Sequence, residues 1–187
     1  MIIALAGRRI DAAEAQEPRF PLHMKNTVRK RLHDLFAEQS ATTLVCSGAC
    51  GADLLALDVA RELGMHRRMV LPFGQQRFRE TSVTDREPAD EWGALFDRIV
   101  NELTATDDLL TLEGAEAGQQ AYEAVNRTIL DEASRLAQNF HGSEGSSRDV
   151  LAVAVWEGES RGAEDLTAAL LEEAQTRGFQ TTEILSR

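Results

Sequence analysis

Short apolar runs rich in β-branched residues alternate along this chain with longer segments of helical periodicity. This alternation is typical of a parallel sheet whose strands are joined by crossover helices. Six strands are predicted, over residues 2–6, 42–46, 68–72, 109–112, 150–156 and 181–185. The pattern therefore predicts an α/β fold, a doubly wound and mostly parallel sheet with helices on both faces.

Five helical segments separate the predicted strands, and each keeps its apolar residues on one side. They are predicted over 21–38, 53–63, 91–103, 117–137 and 163–177. Pro21 opens the first, where its missing N–H is no loss, and Gly64 and Gly178 end the second and the last. The intervening segments are predicted to be loops: 8–20, 74–90 and 139–149. The first two follow strands and should lie at the carboxyl edge of the sheet, whereas the third has the composition of a surface linker.

The length and the charge of the chain limit its domain number and its partners. Its 187 residues, 43% of them hydrophobic, are enough for one core, and we predict a single domain over 1–187. The chain has 20 Lys and Arg residues against 31 Asp and Glu residues, a net charge of −11. Because nucleic acids and anionic membranes are held mainly by basic side chains, we expect no nucleic-acid polymer and no membrane as a partner.

The N-terminal apolar run, the cysteines and the histidines bear on location and on metals. The run at 2–6 is too short for a transmembrane helix and has no basic leader in front of it. Cys46 and Cys50 are too few for a disulfide framework, which favours a reducing, cytoplasmic setting. The four histidines are scattered, at His23, His33, His66 and His141. Since none has the paired spacing of a zinc motif, we predict no metal site. We also predict no cofactor.

A glycine lies just after each of the first five predicted strands, at the edge where open parallel sheets bind ligands. Such turns let the backbone approach a ligand and direct free N–H groups at it when a helix follows. The strongest of them is CSGACGAD, before the second helix. Its candidate phosphate contacts are Ser47, Gly48, Ala49, Cys50, Gly51 and Asp53. It is neither a Walker A loop nor a GxGxxG fingerprint, and the alternative is a tight turn in which Ser47 or Asp53 caps the helix.

Three side chains at this edge have two interpretations each. Arg8, after the first strand, either clamps a phosphate or carboxylate or is a solvated surface residue. Glu157, at the end of the fifth strand, either accepts hydrogen bonds from a ribose hydroxyl pair or is a solvated turn residue. Cys50, close to a helix start, is either a reactive thiol or a small residue that fills a tight turn.

Several short segments occur in an order that matches a known superfamily. They are GRRID, EPRFP, CSGACGAD, VLPF, FRETSV, EWGALFDR, EAVN and AVAVWEG. In this order they resemble the SLOG superfamily of Rossmann-like domains, over 5–185, and most closely the branch found alone or as an N-terminal module of bacterial signalling proteins. The resemblance implies a Rossmann-like fold with a nucleotide or nucleotide-derived ligand, a nucleoside phosphate or an ADP-ribose-like molecule, at the carboxyl edge of the sheet.

The resemblance also implies which residues contact that ligand. By position, those after the first three strands are Gly7, Arg8, Ser47 through Asp53, Thr81 and Ser82. Glu123 and Asn126 match the acidic-x-x-Asn pair of the family on the fourth helix, and at a spacing of three residues they share a helix face. For Asn126 the alternative is a hydrogen bond to a neighbouring loop.

Two branches of the superfamily differ from this chain. The lonely guy phosphoribohydrolases have a Pro-Gly-Gly-x-Gly-Thr segment and a catalytic glutamate after the fourth strand, where this chain has LEGAEAG over 112–118. The DNA-processing recombination mediators need a basic surface for single-stranded DNA, which a net charge of −11 does not supply. By elimination, the sequence predicts a ligand sensor of the remaining branch.

Three functions are compatible with these residues. The first is a binding module for a nucleotide-derived messenger, because no evident general base or nucleophile pair lies beside the phosphate turn. The second is a nucleotide phosphoribohydrolase or related N-glycosidase, in which Glu113, Glu116 or Glu157 stabilises an oxocarbenium-like state. Glu116 has the alternative role of complementing a helix dipole. The third is a partner module whose cleft is vestigial.

The output of a sensor would pass through a homodimer or a separate effector protein. Trp92 and Phe96 on the third helix are either a dimer surface or core residues. The positive features of the edge, Arg8, Arg19 and a helix N-terminus, are expected to converge, so that an acidic chain binds one small anion.

Overall fold

The structure is a computed structural model of the chain, and it describes residues 1–112, 118–141, 149–162 and 164–187. Six strands in these ranges form one sheet in which all neighbouring strands are parallel. They are β1 (Ile2–Gly7), β2 (Thr43–Cys46), β3 (His66–Leu71), β4 (Leu109–Thr111), β5 (Val150–Trp156) and β6 (Gln180–Leu185). All six predicted strands are confirmed, with small changes at their ends.

Helices cover both faces of this sheet. In the described residues they are a 3₁₀ turn (Leu22–Met24), α1 (Lys25–Glu38), α2 (Ala52–Glu62), α3 (Gln75–Ser82), α4 (Ala89–Ala105), α5 (Gln119–His141) and α6 (Leu166–Thr176). The first core contains residues of α1, α2, α3 and α4, and the second contains residues of α5 and α6. The predicted doubly wound α/β fold is therefore confirmed.

Successive side chains of the central strands enter these two cores alternately. Ile3 of β1 joins the core under α1, α2 and α4, while Ile2 packs with α5 and α6. Strands buried on both faces read as continuous apolar runs, as β5 does. Trp92 and Phe96 are 1% exposed and belong to the first core, so the alternative of a dimer surface at these two residues is wrong.

The strand order β4-β3-β2-β1-β5-β6 gives the sheet a switch point beside β1. The chain first adds strands on one side of β1, and then α5 carries it across to β5 on the other side. Connections that leave two adjacent strands in opposite directions open a crevice at the carboxyl ends of those strands. The crevice here lies where β1 and β5 end.

The segment 74–90 is not the loop that the sequence predicts, because it contains α3 and the start of α4. In α3, Phe78 and Ser82 are buried at a spacing of four residues, and the rest is polar. One large apolar residue in eight gives no periodic signal. The helix is held by tertiary contact, since the Phe78 ring lies 6.0 Å from that of Phe73 and 5.9 Å from that of Phe96 between centroids.

Of the other two predicted loops, the one at 8–20 has no helix or strand, whereas the one at 139–149 begins inside a helix. In the segment 8–20, an isolated bridge joins Arg9 to Gly51. The predicted linker 139–149 overlaps the end of α5, and residues 142–148 lie outside the described residues. Within the described part of the chain, no helix has the length and apolar character needed to cross a bilayer.

Candidate functional site

A cavity of about 720 Å³ lies at the carboxyl edge of the sheet, beside the end of β1. Its walls come from the segment after β1, the turn between β2 and α2, helices α3 and α5, and the start of α6. Small-molecule sites have volumes of roughly 300–1,000 Å³. The aliphatic and phenyl side chains in the lining include Leu5, Ile10, Phe78, Val125, Ile129 and Leu166. The cavity therefore has the size and the partly apolar lining of a ligand site.

Arginines outnumber acidic residues in the lining of this cavity, although the chain as a whole is acidic. The arginines are Arg8, Arg9, Arg19, Arg86 and Arg161, and the acidic residues are Asp11, Glu17 and Asp53. The net charge of the whole chain is −11. The carboxylates of Asp85, Glu157 and Asp165 pair with these arginines from outside the lining, so the arginines offer an anion N–H donors rather than a net positive charge.

The turn between β2 and α2 contributes Ser47, Ala49 and Asp53 to the lining. Gly51 has a φ of 106°, and a Cβ atom there would lie 2.6 Å from the backbone nitrogen of Ile10. A glycine is therefore required for the turn to pack against the segment after β1. Gly51 is also the N-cap residue of α2, without a side-chain cap, so the predicted capping by Ser47 or Asp53 is wrong.

Asp53 is a buried carboxyl group in the first turn of α2. Its Oδ2 accepts a hydrogen bond from the Ala49 N–H at 3.2 Å, while its Oδ1 has no hydrogen-bond partner among the described residues. Burial raises the pKa of Asp53 to about 7, against the Ala49 hydrogen bond and the charge of Arg9, which lower it. The cavity is thus lined by a carboxyl group that changes its charge near neutral pH.

Arg8 is 5% exposed, and protein acceptors engage its guanidinium. It donates to both oxygens of Glu157, at 2.5 and 3.1 Å, and to both oxygens of Asp165, each at 2.7 Å. Further bonds go to Thr167 Oγ1 at 3.3 Å and to the Glu159 carbonyl at 3.4 Å. A ligand binds Arg8 only by displacing one of these acceptors. Arg8 and Glu157 are both buried, so the alternative that each is a solvated residue is wrong. The ligand contacts predicted for these two residues stay predictions.

Asp165 completes this cluster and caps α6. Its Oδ1 accepts from the N–H groups of Thr167 and Ala168, at 3.0 and 3.2 Å, and its Oδ2 accepts from the Arg161 N–H at 2.9 Å. Burial raises the pKa of Asp165, but the hydrogen bonds from Arg8 and from the backbone of Arg161 and Ala168 outweigh it and hold that pKa well below its ordinary value. The charged hydrogen bonds of Arg8 with Glu157 and Asp165 therefore join β1, β5 and α6.

Helices α3 and α5 form another part of the wall. The hydroxyls of Ser82 and Tyr122 lie 3.1 Å apart, and both residues line the cavity. Asn126 also lines it, but its amide donates to the Leu166 carbonyl at 2.7 Å. The alternative predicted for Asn126 is a hydrogen bond to a neighbouring loop, but the acceptor is the first residue of α6, so this bond fixes α5 to the start of α6.

Arg9, Arg86 and Asp85 form an ion-pair group next to the turn. Arg9 and Arg86 both pair with Asp85, the latter at 3.0 Å, so the two cations share a single carboxylate. Cys50 is buried behind this group, and burial raises the pKa of its thiol in spite of the Arg9 charge. A thiol of this kind is not activated as a nucleophile, which supports the predicted packing role of Cys50.

The structure gathers about half of the predicted ligand contacts around the cavity. Those in its lining are Gly7, Arg8, Ser47, Ala49, Asp53, Ser82 and Asn126. Those outside its lining are Gly48, Cys50, Gly51, Thr81, Glu123 and Glu157. Glu113 and Glu116 lie outside the described residues. Among the residues that the structure describes, no group of three or more His, Cys, Asp or Glu side chains could hold a metal ion.

Several polar contributors to the cavity are absent from the sequence predictions, among them Arg86, Tyr122 and Arg161. Tyr122 and Asn126 are four residues apart, so a helix face counted in steps of four rather than three would have found Tyr122. Arg161 lies four residues beyond Glu157, past the first turn after β5. Arg86 follows α3, in the segment interpreted as a loop.

A second cavity, of about 330 Å³, adjoins the first. Its lining consists of Glu17, Pro18, Arg19, Glu157, Glu159, Ser160, Arg161 and Arg187. Glu17, Arg19 and Arg161 line both cavities, so these three residues mark the passage between them. The second cavity is almost entirely polar, in contrast to the first.

Comparisons with known proteins bear on the fold. Neither a protein-family model nor a curated protein sequence matches this chain. The X-ray structure of DNA processing protein A (DprA) from Streptococcus pneumoniae matches over 97% of this chain, with a TM-score of 0.52 and 17% sequence identity. This chain spans about half the length of that protein, 49%. At this identity the likeness shows a shared Rossmann-like α/β fold, as the SLOG resemblance implies.

The expectation of no nucleic-acid polymer as a partner was wrong. It rested on the net charge of −11, which also served to eliminate the DNA-processing branch. A protein named for DNA processing has this fold, and here five arginines line one cavity of an acidic chain. Net charge averages over the whole surface, whereas a bound phosphate responds to the charges within ~10 Å. The acidic composition therefore excludes neither nucleic acid nor that branch.

Proposed function

We propose that this protein binds a nucleotide or nucleotide-derived small molecule in the cavity at the carboxyl edge of its sheet, and that it acts as a ligand sensor. The observation that carries this proposal is a set of partly exposed arginines around one cavity. In a chain with a net charge of −11, five arginines line a cavity of about 720 Å³, and the side chains of Arg19, Arg86 and Arg161 are 32%, 31% and 43% exposed. The size suits a nucleotide, and the guanidinium donors suit its phosphate.

The lining has separate surfaces for the two parts of a nucleotide. Phe78, Val125 and Ile129 are buried in the apolar wall, so the half-buried ring of Tyr122 is the surface among these four that suits the flat face of a base. Arg86 provides a planar guanidinium that suits phosphate oxygens and is 31% exposed despite its pairing with Asp85. This division supports a nucleotide over a simple inorganic anion, which would leave the apolar lining unused.

The protonation of Asp53 also favours an anionic ligand. A carboxylate in the lining would repel phosphate, but burial raises the pKa of Asp53 to about 7, so close to neutral pH a large fraction is uncharged. Its Oδ1 has no partner in the described part of the chain. The binding of an anion and the protonation of Asp53 should therefore favour each other.

Binding without hydrolysis is the better supported form of this proposal. An N-glycosidase needs a carboxylate free to stabilise an oxocarbenium-like state. Both oxygens of Glu157 accept hydrogen bonds from Arg8, and the other two candidates, Glu113 and Glu116, lie outside the described residues. Release of adenine from AMP, followed by chromatography, is the measurement that would favour the enzyme instead.

Isothermal titration calorimetry tests the proposal. AMP and ADP are expected to bind at least about tenfold more tightly than adenosine, because adenosine lacks the phosphate that the arginines bind. Arg86→Ala is expected to weaken AMP binding about tenfold. Arg135→Ala, which removes the same charge from an exposed arginine that pairs with Glu132 on α5, is expected to change AMP binding less than twofold.

Two results would overturn this function. If adenosine, AMP, ADP and ADP-ribose all leave the calorimetric signal and the melting temperature unchanged, the cavity is not a nucleotide site. A single-stranded oligodeoxynucleotide belongs in the same titration, since the matching solved structure is of a DNA processing protein. Tighter binding of that strand than of any mononucleotide would replace the small-molecule proposal with a DNA-binding one.

A further inference from the structure

The segment between β1 and the 3₁₀ turn covers one side of the large cavity without forming a helix or a strand. Four residues from its middle line that cavity: Ala12, Ala15, Gln16 and Glu17. Glu17 also lines the smaller cavity, together with Pro18. Most of these residues are exposed as well. The stretch 12–18 therefore lies between the cavity and the solvent on this side.

Both ends of this stretch are fixed to the body of the protein. Ile10 and Phe20 are 1% and 0% exposed and belong to the first core. The N–H of Asp11 donates to the Phe20 carbonyl at 3.0 Å, and Asp11 Oδ2 accepts from the N–H groups of Arg19 and Phe20 at 2.9 and 3.0 Å. These three hydrogen bonds, the Asp11 clasp, hold the two ends of the stretch side by side, as at the base of an Ω-loop.

Between these ends, the stretch makes few contacts with the rest of the protein. All of its residues are exposed except Ala15, which is half-buried, and none is a large apolar residue. Among the described residues, its one hydrogen bond runs from the Ala15 N–H to the Ala12 carbonyl, at 3.0 Å. Segments with few buried apolar contacts and an exposed backbone open at a low cost in free energy. The stretch can therefore move while the clasp and both cores stay intact.

Helix α3, another wall of the cavity, shows what a fixed wall contains. Its Phe78 is fully buried, and its Ser82 carbonyl accepts a hydrogen bond from the Cys50 N–H at 3.0 Å. The Ser82 hydroxyl lies 3.1 Å from that of Tyr122 on α5. The stretch 12–18 has neither a buried ring nor a hydrogen bond to another element in the described part of the chain. The two walls thus differ in how firmly they are held.

We propose that residues 12–18 form a lid, hinged at the Asp11 clasp, that opens to admit the ligand and closes over it. This inference rests on the proposed function and adds how access to that site is controlled. In the closed form, Ala12 and Ala15 leave room for a ligand, and the Gln16 amide offers it a donor and an acceptor. Ligand contacts that exist only with the lid closed stabilise this form and slow the release of the ligand.

A nitroxide label on the lid tests whether it moves. Glu14→Cys gives the lid one reactive thiol, because Cys46 and Cys50 are buried and inaccessible to the label. The label is expected to be mobile by electron paramagnetic resonance in the free protein, and saturating AMP is expected to slow its motion at least about threefold. The same label at Arg135→Cys, on the exposed surface of α5, should give one spectrum with and without AMP.

Stopped-flow measurement of AMP release tests what the lid does. In a lidless variant, Gly-Gly replaces residues 12–18 and leaves the clasp residues Asp11, Arg19 and Phe20 in place. This variant is expected to release AMP at least about tenfold faster than the wild type, because nothing closes over the bound ligand.

Two substitutions at the hinge keep the length of the lid. Asp11→Ala removes the side-chain acceptor of the clasp, so it should speed AMP release at least about threefold. Asp11→Asn removes the same charge but keeps a side-chain oxygen that accepts hydrogen bonds, so it should speed release less. Melting temperatures within a few degrees of the wild type show that each variant is folded. If the lidless variant is not folded, the two Asp11 variants and the nitroxide label decide.

The outcomes distinguish this inference from the proposed function. Slower motion of the label with AMP and faster release from the lidless variant would support the lid. If AMP binds but leaves the label spectrum unchanged, or if the lidless variant releases AMP at the wild-type rate, residues 12–18 are a fixed wall. The lid is then wrong while nucleotide binding stands. If neither AMP nor any other nucleotide binds, both proposals fail.

Discussion

Asp53 and Asp165 are both buried aspartates at the start of a helix on the carboxyl edge of the sheet, but they have opposite pKa shifts. Asp165 accepts hydrogen bonds from Arg8 and from three backbone N–H groups, and its pKa is held well below the ordinary value. Asp53 accepts one, from Ala49, and burial raises its pKa to about 7. Burial raises the pKa of both carboxyl groups, and only at Asp165 do the hydrogen bonds outweigh it, so Asp165 stays charged.

This difference divides the edge of the sheet into a scaffold and a site. Around Asp165, the acceptors and donors satisfy one another and join β1, β5 and α6. Around Asp53, a polar atom lacks a partner in the described residues, and the adjoining space has the volume of a ligand. Unsatisfied buried polar groups are costly in a folded protein, so they mark where a bound molecule gains most.

Removing the scaffold carboxylate is expected to have the largest effect. Asp165→Asn should lower the free energy of unfolding by about 3 kcal/mol at pH 7, since it leaves the buried Arg8 partly uncompensated and weakens the cap of α6. A carboxyl group with a depressed pKa stabilises the fold above its unfolded pKa of about 4, and that stability is lost as the pH falls below it. Urea unfolding should therefore show a smaller loss near pH 3.

The control for this variant is a surface carboxylate with an arginine partner. Asp131 pairs with Arg177 on the surface, with its own side chain 65% exposed, so Asp131→Asn should change the stability by less than about 1 kcal/mol. A loss at Asp165→Asn no larger than at Asp131→Asn would contradict the scaffold role of the Arg8 cluster.

In contrast to Asp165→Asn, Asp53→Asn is expected to raise the free energy of unfolding at high pH relative to the wild type. A carboxyl group with a raised pKa stabilises the fold below its unfolded pKa of about 4, and that contribution is lost as the pH rises through 7. The wild type should therefore lose about 2 kcal/mol between pH 5 and pH 8 that the variant does not lose. Urea unfolding of the two proteins at both pH values measures the difference. Parallel pH profiles would show that Asp53 is ionised in the folded protein.

The smallest effect is expected on the pH dependence of ligand binding. If the nucleotide site is correct, ADP-glucose should bind the wild type about fivefold more tightly at pH 6 than at pH 8, since a neutral Asp53 no longer repels phosphate. Both phosphates of ADP-glucose are esterified, so they lack the pKa near 6 of a phosphate monoester. Asp53→Asn should bind equally at both pH values. Calorimetry that finds the same pH dependence in both proteins would contradict this coupling.

The sequence predicted the sheet well and the site in part. The strands were found because they are buried on both faces and are continuous apolar runs, as β5 is. Helix α3 was missed because its single large apolar residue, Phe78, gives no period. At the site, the position of Ser47 and Asp53 after a strand predicts their place in the lining, whereas Tyr122 precedes the Glu123–Asn126 pair by one residue and Arg161 lies past the first turn after β5.

The sequence by itself determined the order of strands and helices, because the spacing of apolar residues along the chain follows the local geometry of each element. It also placed glycine turns and polar residues at the carboxyl edge of a parallel sheet. The tertiary structure decided which of those residues are already paired. Arg8 and Asp165 are 157 positions apart, and Arg8 meets that carboxylate only because β1 and β5 are neighbours in the sheet. Asp53 has no comparable donor in the described residues, so burial alone raises its pKa.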